Sequence, residues 1–319
     1  MDDKTAKNKK TGKSAWPYMV IAMSIVLSLA INTSGHFGGS FNWSRIYYYV
    51  GLNRAAPPYV SYVSFINVGQ GNSTLVVSDS QALLIDAGDF GAGIVVNEYL
   101  RANGIERLCY VIVTHPHADH IGGVAEVLEE VSVGKLMLST ETPRWERDRF
   151  LFDNVVQAAY NRSVEVVDFN HETMHNYIIN IGSFTLQVIG PTVRHQREND
   201  NSIVILAEAY GTRFLFTGDI ERYGEAYLAL RFRENLQADI LQVAHHGSNS
   251  SSTDIFLRSV NPDVAVISAG QRNLFNHPRD EVVGRLLGVE AQIYRTDVNG
   301  NIRFSSFGGG EFIVSAEFE

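Results

Sequence analysis

The segment Thr-His-Pro-His-Ala-Asp-His, from Thr114 to His120, sets three imidazoles and a carboxylate directly after the apolar run Cys109 to Val113. Imidazole nitrogen and carboxylate oxygen suit zinc or a similar divalent ion, with Asp119 and His120 serving a second ion. His115 and His117 are two apart, so in an extended segment both project to the same side. Asp119 and His120 follow where the chain should turn into a helix, and they face the same point from behind. A solitary histidine is usually a surface or core residue. Four such groups at this spacing point to metal.

The elements that must position them read as a layered α/β domain. Tyr59 to Val68, Ser73 to Val77 and Ala82 to Ile85 alternate or run apolar between Gly, Asn and Ser breaks, the pattern of an opening strand meander. A helix is expected over Ile94 to Ala102, a strand over Leu108 to Val113 and a helix over Val124 to Glu130. Gly122 and Gly123 let backbone approach the histidine loop closely. Further strands are expected at Phe184–Ile189, Ser202–Ala209, Arg213–Phe216, Ile240–Val243, Val264–Ser268 and Ile293–Arg295. Helices are expected at Arg222–Arg233, Ser252–Val260 and Arg279–Leu287. Two sheets face to face with helices outside would use these elements and leave the strand-end loops at one edge.

The motifs resemble, in order, those of the metallo-β-lactamase superfamily, whose signature is H-x-H-x-D-H after a strand. Asn67 to Asn72 (Asn-Val-Gly-Gln-Gly-Asn) resembles the D-V-G-Q-G-D segment of the ComEC/Rec2-like competence proteins, in their hydrolase domain. Leu84 to Gly88 resembles the strand-end Asp-x-Gly motif, and Phe216 to Asp219 the strand that supplies a bridging aspartate. Ala244 to Ser248 matches H-H-G-S near the last ligand, and Asn276 to Pro278 a further His-Pro element. The resemblance runs from about Ser61 to Arg303. It implies an αββα metallo-β-lactamase-like four-layer sandwich, and it leaves out the channel-forming membrane region of a full competence protein.

The resemblance implies a ligand set of His115, His117, Asp119, His120, Asn199, Asp219 and His246 for two divalent ions, zinc favoured and manganese the alternative. Asn199 stands where the superfamily usually has a third histidine; an amide oxygen is the weaker ligand, so the first ion binds less tightly, exchanges or favours manganese. Asn67 and Asn72 depart from the branch pattern too, replacing Asp. Asp86 reads either as a turn residue or, by family position, as a group that orients a ligand. Asp219 reads either as a turn or helix cap or as the bridging carboxylate. Consecutive His245 and His246 would point oppositely from a strand, so only one is easily a ligand; His246 is favoured, with His245 facing substrate. His277 is either a loop residue capping the next helix or a catalytic group.

A pair of divalent ions would supply an acidic water and stabilise charge on a phosphoryl or carbonyl oxygen. Asp119 would accept a hydrogen bond from the attacking water, and His245 or His277 would steady the oxyanion or protonate the leaving group. The resemblance implies a phosphodiester or nucleic-acid substrate. Lactones, other esters and β-lactams are the alternative substrates, and a non-catalytic DNA-uptake component is the third class. Arg144, Arg147 and Arg149, with Arg194 and Arg197, lie in segments that the superfamily often uses as substrate-facing loops.

Formal net charge is −9, and five lysines fall within the first thirteen residues, so the remainder is more acidic still. A broad electrostatic footprint for DNA is therefore not expected, only a local patch. The 319 residues, 45% hydrophobic, accommodate one or two domains with a sizeable core. Cys109 is the only cysteine, which excludes an intramolecular disulfide, and it reads as a buried strand residue. Residues 1–15 form a basic tail, followed over 16–32 by an uncharged, mostly apolar segment that reads as a signal peptide or a signal-anchor helix. A connecting stretch over 33–58 leads to the domain at 59–319. The positive-inside rule places that domain outside the cytoplasm, attached to the membrane if the segment is uncleaved.

Overall fold

The computed structural model describes residues 61–139, 143–306 and 312–318. The basic tail, the apolar segment and the connecting stretch lie outside the described residues. Among the described residues no helix is long and apolar enough to cross a membrane.

The chain lays down one sheet, then a second, then returns to the first. The opening strands are β1 (Ser61–Phe65), β2 (Thr74–Ser78) and β3 (Gln81–Ile85). Asp79 and Ser80, at φ 50° and 65°, make the two-residue turn whose twist suits the β2–β3 hairpin. Helix α1 (Ala92–Ala102), β4 (Arg107–Ile112), α2 (Ala118–Ile121), α3 (Val124–Glu130), β5 (Ser132–Leu138), α4 (Glu146–Asn161) and β6 (Glu165–Asp168) follow. The second sheet begins with β7 (Ile178–Ile181), β8 (Phe184–Gly190), β9 (Val204–Ala209) and β10 (Thr212–Phe216). It continues through α5 (Arg222–Phe232), β11 (Ile240–Gln242), α6 (Asp254–Val260), β12 (Val264–Ile267), α7 (Asp280–Gly288) and β13 (Gln292–Arg295). Helix α8 (Thr296–Asn299), β14 (Ile302–Ser306) and β15 (Ile313–Ala316) complete the described chain.

Strand order is β15-β14-β1-β2-β3-β4-β5-β6 in one sheet and β13-β12-β11-β10-β9-β8-β7 in the other. Three apolar layers hold the stack together. Between the sheets, Phe184, Phe216 and Phe304 surround Phe214, whose ring centroid is 6.0 Å from Phe184 and 6.1 Å from Phe304, and Phe65 packs on Phe216 and Phe304. Each such ring contributes roughly 1.5–3 kcal/mol on burial. Val96, Leu100, Val127, Leu151 and Val155 pack helices on the first sheet, and Leu228, Phe256, Val260, Val282 and Leu286 pack helices on the second.

This topology places the site. The pairs β3–β4, β10–β11 and β11–β12 are parallel, so their C-terminal ends open in register. Asp86 follows β3, Thr114 to His120 follow β4, Asp219 follows β10 and His246 follows β11.

The opening strand is shorter than its sequence pattern, because Asn67 to Asn72 form a loop that Ile66 N closes by donating to Ser73 O at 2.9 Å. Cys109 is half-buried rather than buried. Strands β5, β6, β7, β14 and β15 and helices α4 and α8 are absent from the sequence reading. The α4 signal was present as Leu151, Val155, Ala158 and Ala159 on one face. Charged residues around that face obscured it.

Candidate metal centre

Ligand atoms of Asp119, His120, Asp219 and His246 all lie within 4.8 Å of one another. His246 Nε2 is 3.1 Å from Asp119 Oδ2 and 3.5 Å from Asp219 Oδ2, and His120 Nε2 is 3.2 Å from Asp219 Oδ1. Donors bound tetrahedrally at about 2.1 Å are roughly 3.4 Å apart, so these separations are those of ligands around one ion. His115 Nε2 lies 4.0 Å from Asp219 Oδ2, and the His115 and His117 rings are 4.6 Å apart at their centroids. His245 Nε2 is 3.8 Å from the same Asp219 oxygen. One buried carboxylate is thus approached by four imidazoles.

Neighbouring groups fix which nitrogen faces inward. Asp86 Oδ2 lies 2.7 Å from His120 Nδ1, while Asp86 also accepts from Thr114 N and Thr114 Oγ1, each at 2.8 Å. His246 Nδ1 lies 2.9 Å from Ser268 O. A carbonyl only accepts, so a proton sits on Nδ1 and Nε2 is the nitrogen that faces the centre.

Glycines bring the loops close enough. Gly71, at φ +144°, puts a would-be Cβ 2.5 Å from Asp119 O, and one on Gly123 would stand 2.3 Å from Ala87 O. Asn72 N donates to Asp119 O at 3.0 Å, so the turn after β1 supports the Asp119 backbone from beneath.

The buried carboxylates favour positive charge on His120 and His246 but not on His115. Burial lowers His120 and His246, yet Asp219 and Asp86 raise His120 well above the usual range, and Asp219 and Asp119 raise His246. Burial raises both carboxyls, but His246 and His120 hold Asp119 below the usual range, and His120, His246 and His245 hold Asp219 well below it. His115 is lowered well below its usual value by burial and the His120 and His117 rings.

The donor set fits divalent metal. Nε2 of His115, His117, His120 and His246, with Oδ1 of Asp219 and Asn199, are buried side-chain atoms without a hydrogen-bond partner. Such atoms are costly unless something satisfies them.

A family model described as the metallo-beta-lactamase superfamily matches residues 66–271, which contain all of these donors. The chain belongs to that superfamily. Its relatives include ComE operon protein 3 of Bacillus subtilis, 31% identical over 76% of this chain and 32% of that protein. Competence protein ComA of Neisseria gonorrhoeae is 30% identical over 80% of this chain and 34% of its own length. Recombination protein 2 of Haemophilus influenzae is 30% identical over 77% of this chain and 29% of its own. The chain therefore spans about a third of the length of these ComEC/Rec2-like relatives. Among solved structures, CmlA from Streptomyces venezuelae, a diiron beta-hydroxylase, aligns with TM-score 0.50 and 13% identity over 79% of this chain and 55% of that one. That likeness is one of fold alone.

Within this metallo-beta-lactamase fold the sequence-derived residues gather at one edge, with several corrections to how they arrive. His245 and His246 are not on a strand: β11 ends at Gln242, and both lie in the turn that follows, at φ 52° and 55°. The left-handed turn aims both rings at Asp219, where a strand would have splayed them. Asp219 caps nothing. Asp200 Oδ1 instead accepts from Glu221 N at 2.7 Å and Gly224 N at 2.9 Å, capping α5. His277 is not the cap of α7, which is Arg279. The His277 ring lies 5.7 Å from that of His245 and 6.4 Å from that of His246, and burial with these neighbours pushes it down to about 4. Asn199 sits in a short 3-10 turn, its Nδ2 3.4 Å from His245 Nδ1.

Other groups at the site lie outside the sequence-derived ligand set. Glu198 Oε2 lies 3.5 Å from His117 Nε2, and His245 Nδ1 is 3.1 Å from Ser250 Oγ and 3.6 Å from Glu221 Oε1. Asn72 has both amide atoms buried without a partner. Of the five arginines, Arg147 pairs with Asp89, Arg197 with Glu221, and Arg149 donates to Pro143 O. Arg144 donates to Gln196 O, and Arg144, Arg194 and Glu198 line a cleft of about 90 Å³ against Thr114 and His115.

Proposed function

We propose that this domain is a metal-dependent hydrolase of phosphodiesters, acting on nucleic acid outside the cytoplasm in DNA uptake. Asp219 carries the reading: four imidazole nitrogens lie within 4.0 Å of this one carboxylate, which supports its serving as a ligand shared by two ions. Asp119, His120 and His246 would hold one ion with Asp219, and His115, His117 and Asn199 the other. Zinc suits the imidazole-rich set, and the Asn199 amide is compatible with manganese. Divalent ions supply an acidic water and a Lewis acid for a phosphoryl oxygen.

The chain's own groups would do the rest. Asp119, whose side chain is partly exposed, would accept a hydrogen bond from the attacking water and orient it toward substrate. His245, at the lip of the site, faces the reacting group with Ser250 behind it. Arg144 and Arg194 line the cleft beside His115 together with Glu198, and would bring two cationic groups near a substrate phosphate in an otherwise acidic protein. The competence names of the relatives support nucleic acid as the substrate, and the lysine-rich start followed by an apolar segment supports export.

The test is metal analysis of the purified protein, then hydrolysis assays on a small phosphodiester, single-stranded DNA, a lactone and a cephalosporin. Phosphodiesters should be turned over and Asp119→Asn should abolish turnover. Hydrolysis of only the lactone or cephalosporin would replace this reading with the ester-hydrolase one. Metal binding without any turnover would leave a non-catalytic uptake component.

A further inference from the structure

We infer that the loop from Arg272 to His277 is a stacking platform for a nucleobase flanking the scissile phosphodiester, with Phe275 as its contact face. The inference rests on the phosphodiesterase reading and narrows the substrate to single-stranded nucleic acid. Leu274 is 96% exposed and Phe275 57% exposed, in the loop that leads to His277. Isolated exposed apolar residues are common and need no explanation. Phe275 is not isolated. Its ring lies 5.7 Å from that of His277 at 27°, and His277 lies 6.4 Å from His246 at 23°. Three rings step, nearly parallel, from solvent to the cluster.

The platform is held in place. Asn273 Oδ1 accepts from Phe275 N at 3.2 Å and His277 N at 2.9 Å, while Nδ2 donates to Gly270 O at 2.9 Å and His277 O at 2.6 Å. One amide side chain therefore ties both ends of the turn that presents Phe275. A ring fixed before ligand arrives loses little entropy on binding. Sites for single-stranded nucleic acid combine aromatic faces with cationic groups for the backbone. Here Phe275 supplies the first and the Arg144 and Arg194 cleft the second. The net charge of −9 makes a broad phosphate footprint a poor source of grip, so stacking must supply more of it. A membrane contact would use Leu274 and Phe275 equally well, but it would not require a ring series leading to His246.

The experiment uses the metal-loaded full chain with an oligothymidylate and the same oligomer carrying abasic residues. Phe275→Ala should raise KM for the base-bearing strand by about 5- to 100-fold. Phe275→Trp should restore it, and the abasic strand should respond to neither substitution. Equal kinetics of wild type and Phe275→Ala on the base-bearing strand would overturn the proposal, as would an equal loss on the abasic strand. Loss of binding to phosphatidylglycerol vesicles in Phe275→Ala, with oligonucleotide kinetics unchanged, would assign the tip to a membrane and overturn it too. If the wild type cleaves a small phosphodiester but no oligonucleotide, this inference alone fails. If it cleaves no phosphodiester, the parent reading falls and takes this one with it.

Discussion

Asp86 Oδ2 stands 2.7 Å from His120 Nδ1, with both side chains buried. That contact leaves His120 Nε2 facing Asp219, and the two bonds from Thr114 lock the carboxylate that makes it. The positive φ of Asp86, 59°, turns the chain so that the end of one strand can brace the loop of the next.

Asp86→Asn keeps the size and the tolerance of positive φ but offers an N–H where His120 needs an acceptor. Metal affinity should fall roughly 10- to 100-fold. Competition against a chromophoric chelator measures it, and unchanged affinity would show that Asp86 serves only the Thr114 backbone.

Stripping metal should lower the thermal midpoint, because the buried donors lose the ion that satisfies them. Zinc or manganese should restore it. A His115→Ala and Asp219→Ala double variant should melt identically with and without chelator; a metal-dependent shift persisting there would place the ion elsewhere.

Gly71 and Gly69 both have positive φ, 144° and 79°, but only a Cβ on Gly71 meets Asp119 O, while Gly69 faces open space. Gly69→Ala should cost about 1–3 kcal/mol in denaturant unfolding, and Gly71→Ala more, because its Cβ also meets backbone. Gly71→Ala alone should also depress metal affinity, by displacing the Asp119 backbone. Equal affinity in the two variants would argue against that support.

Glu225, buried on α5, accepts from Ser252 N and from Thr253 N at 2.8 Å, and burial pushes it up to about 7 despite these bonds and Arg285. The folded state thus holds a proton that the unfolded chain releases near 4.5. Stability should be greater below that value and fall as pH rises toward 7, by an amount on the order of 3 kcal/mol. Glu225→Gln should flatten this part of the profile in chemical denaturation, and an unaltered slope would assign it to another group.

The export proposal is checked with protease added to intact spheroplasts. The domain should be digested, or recovered in the medium if the apolar segment is cleaved. Full protection with no secreted form would reverse the orientation.

The strongest parts of the fold were legible because their signals are local. Apolar runs bounded by Gly and Asn marked β2, β3, β4 and β10, and the periodic face of α1 marked the first helix. Strand β6, with mostly exposed residues, and the short β15 carry little such signal, since an edge strand buries too little to enforce a pattern. Helix α4 begins Glu-Arg-Asp-Arg, yet Asp148 is buried there beside the His117 segment.

By itself the sequence determined the donor types, their order and their place after strands: His115 to His120, Asp219 and the His245–His246 pair. Those depend on covalent neighbours and short-range periodicity. Only the tertiary structure decided which ring nitrogens face the centre, that Asp200 rather than Asp219 caps α5, and that both His245 and His246 turn inward. Each depends on a partner far along the chain: Asp86 for His120, Ser268 for His246, and Asp219 for four histidines at once. Parallel strands bring those partners together by aligning their C-terminal ends, a relation of register that no stretch of sequence contains.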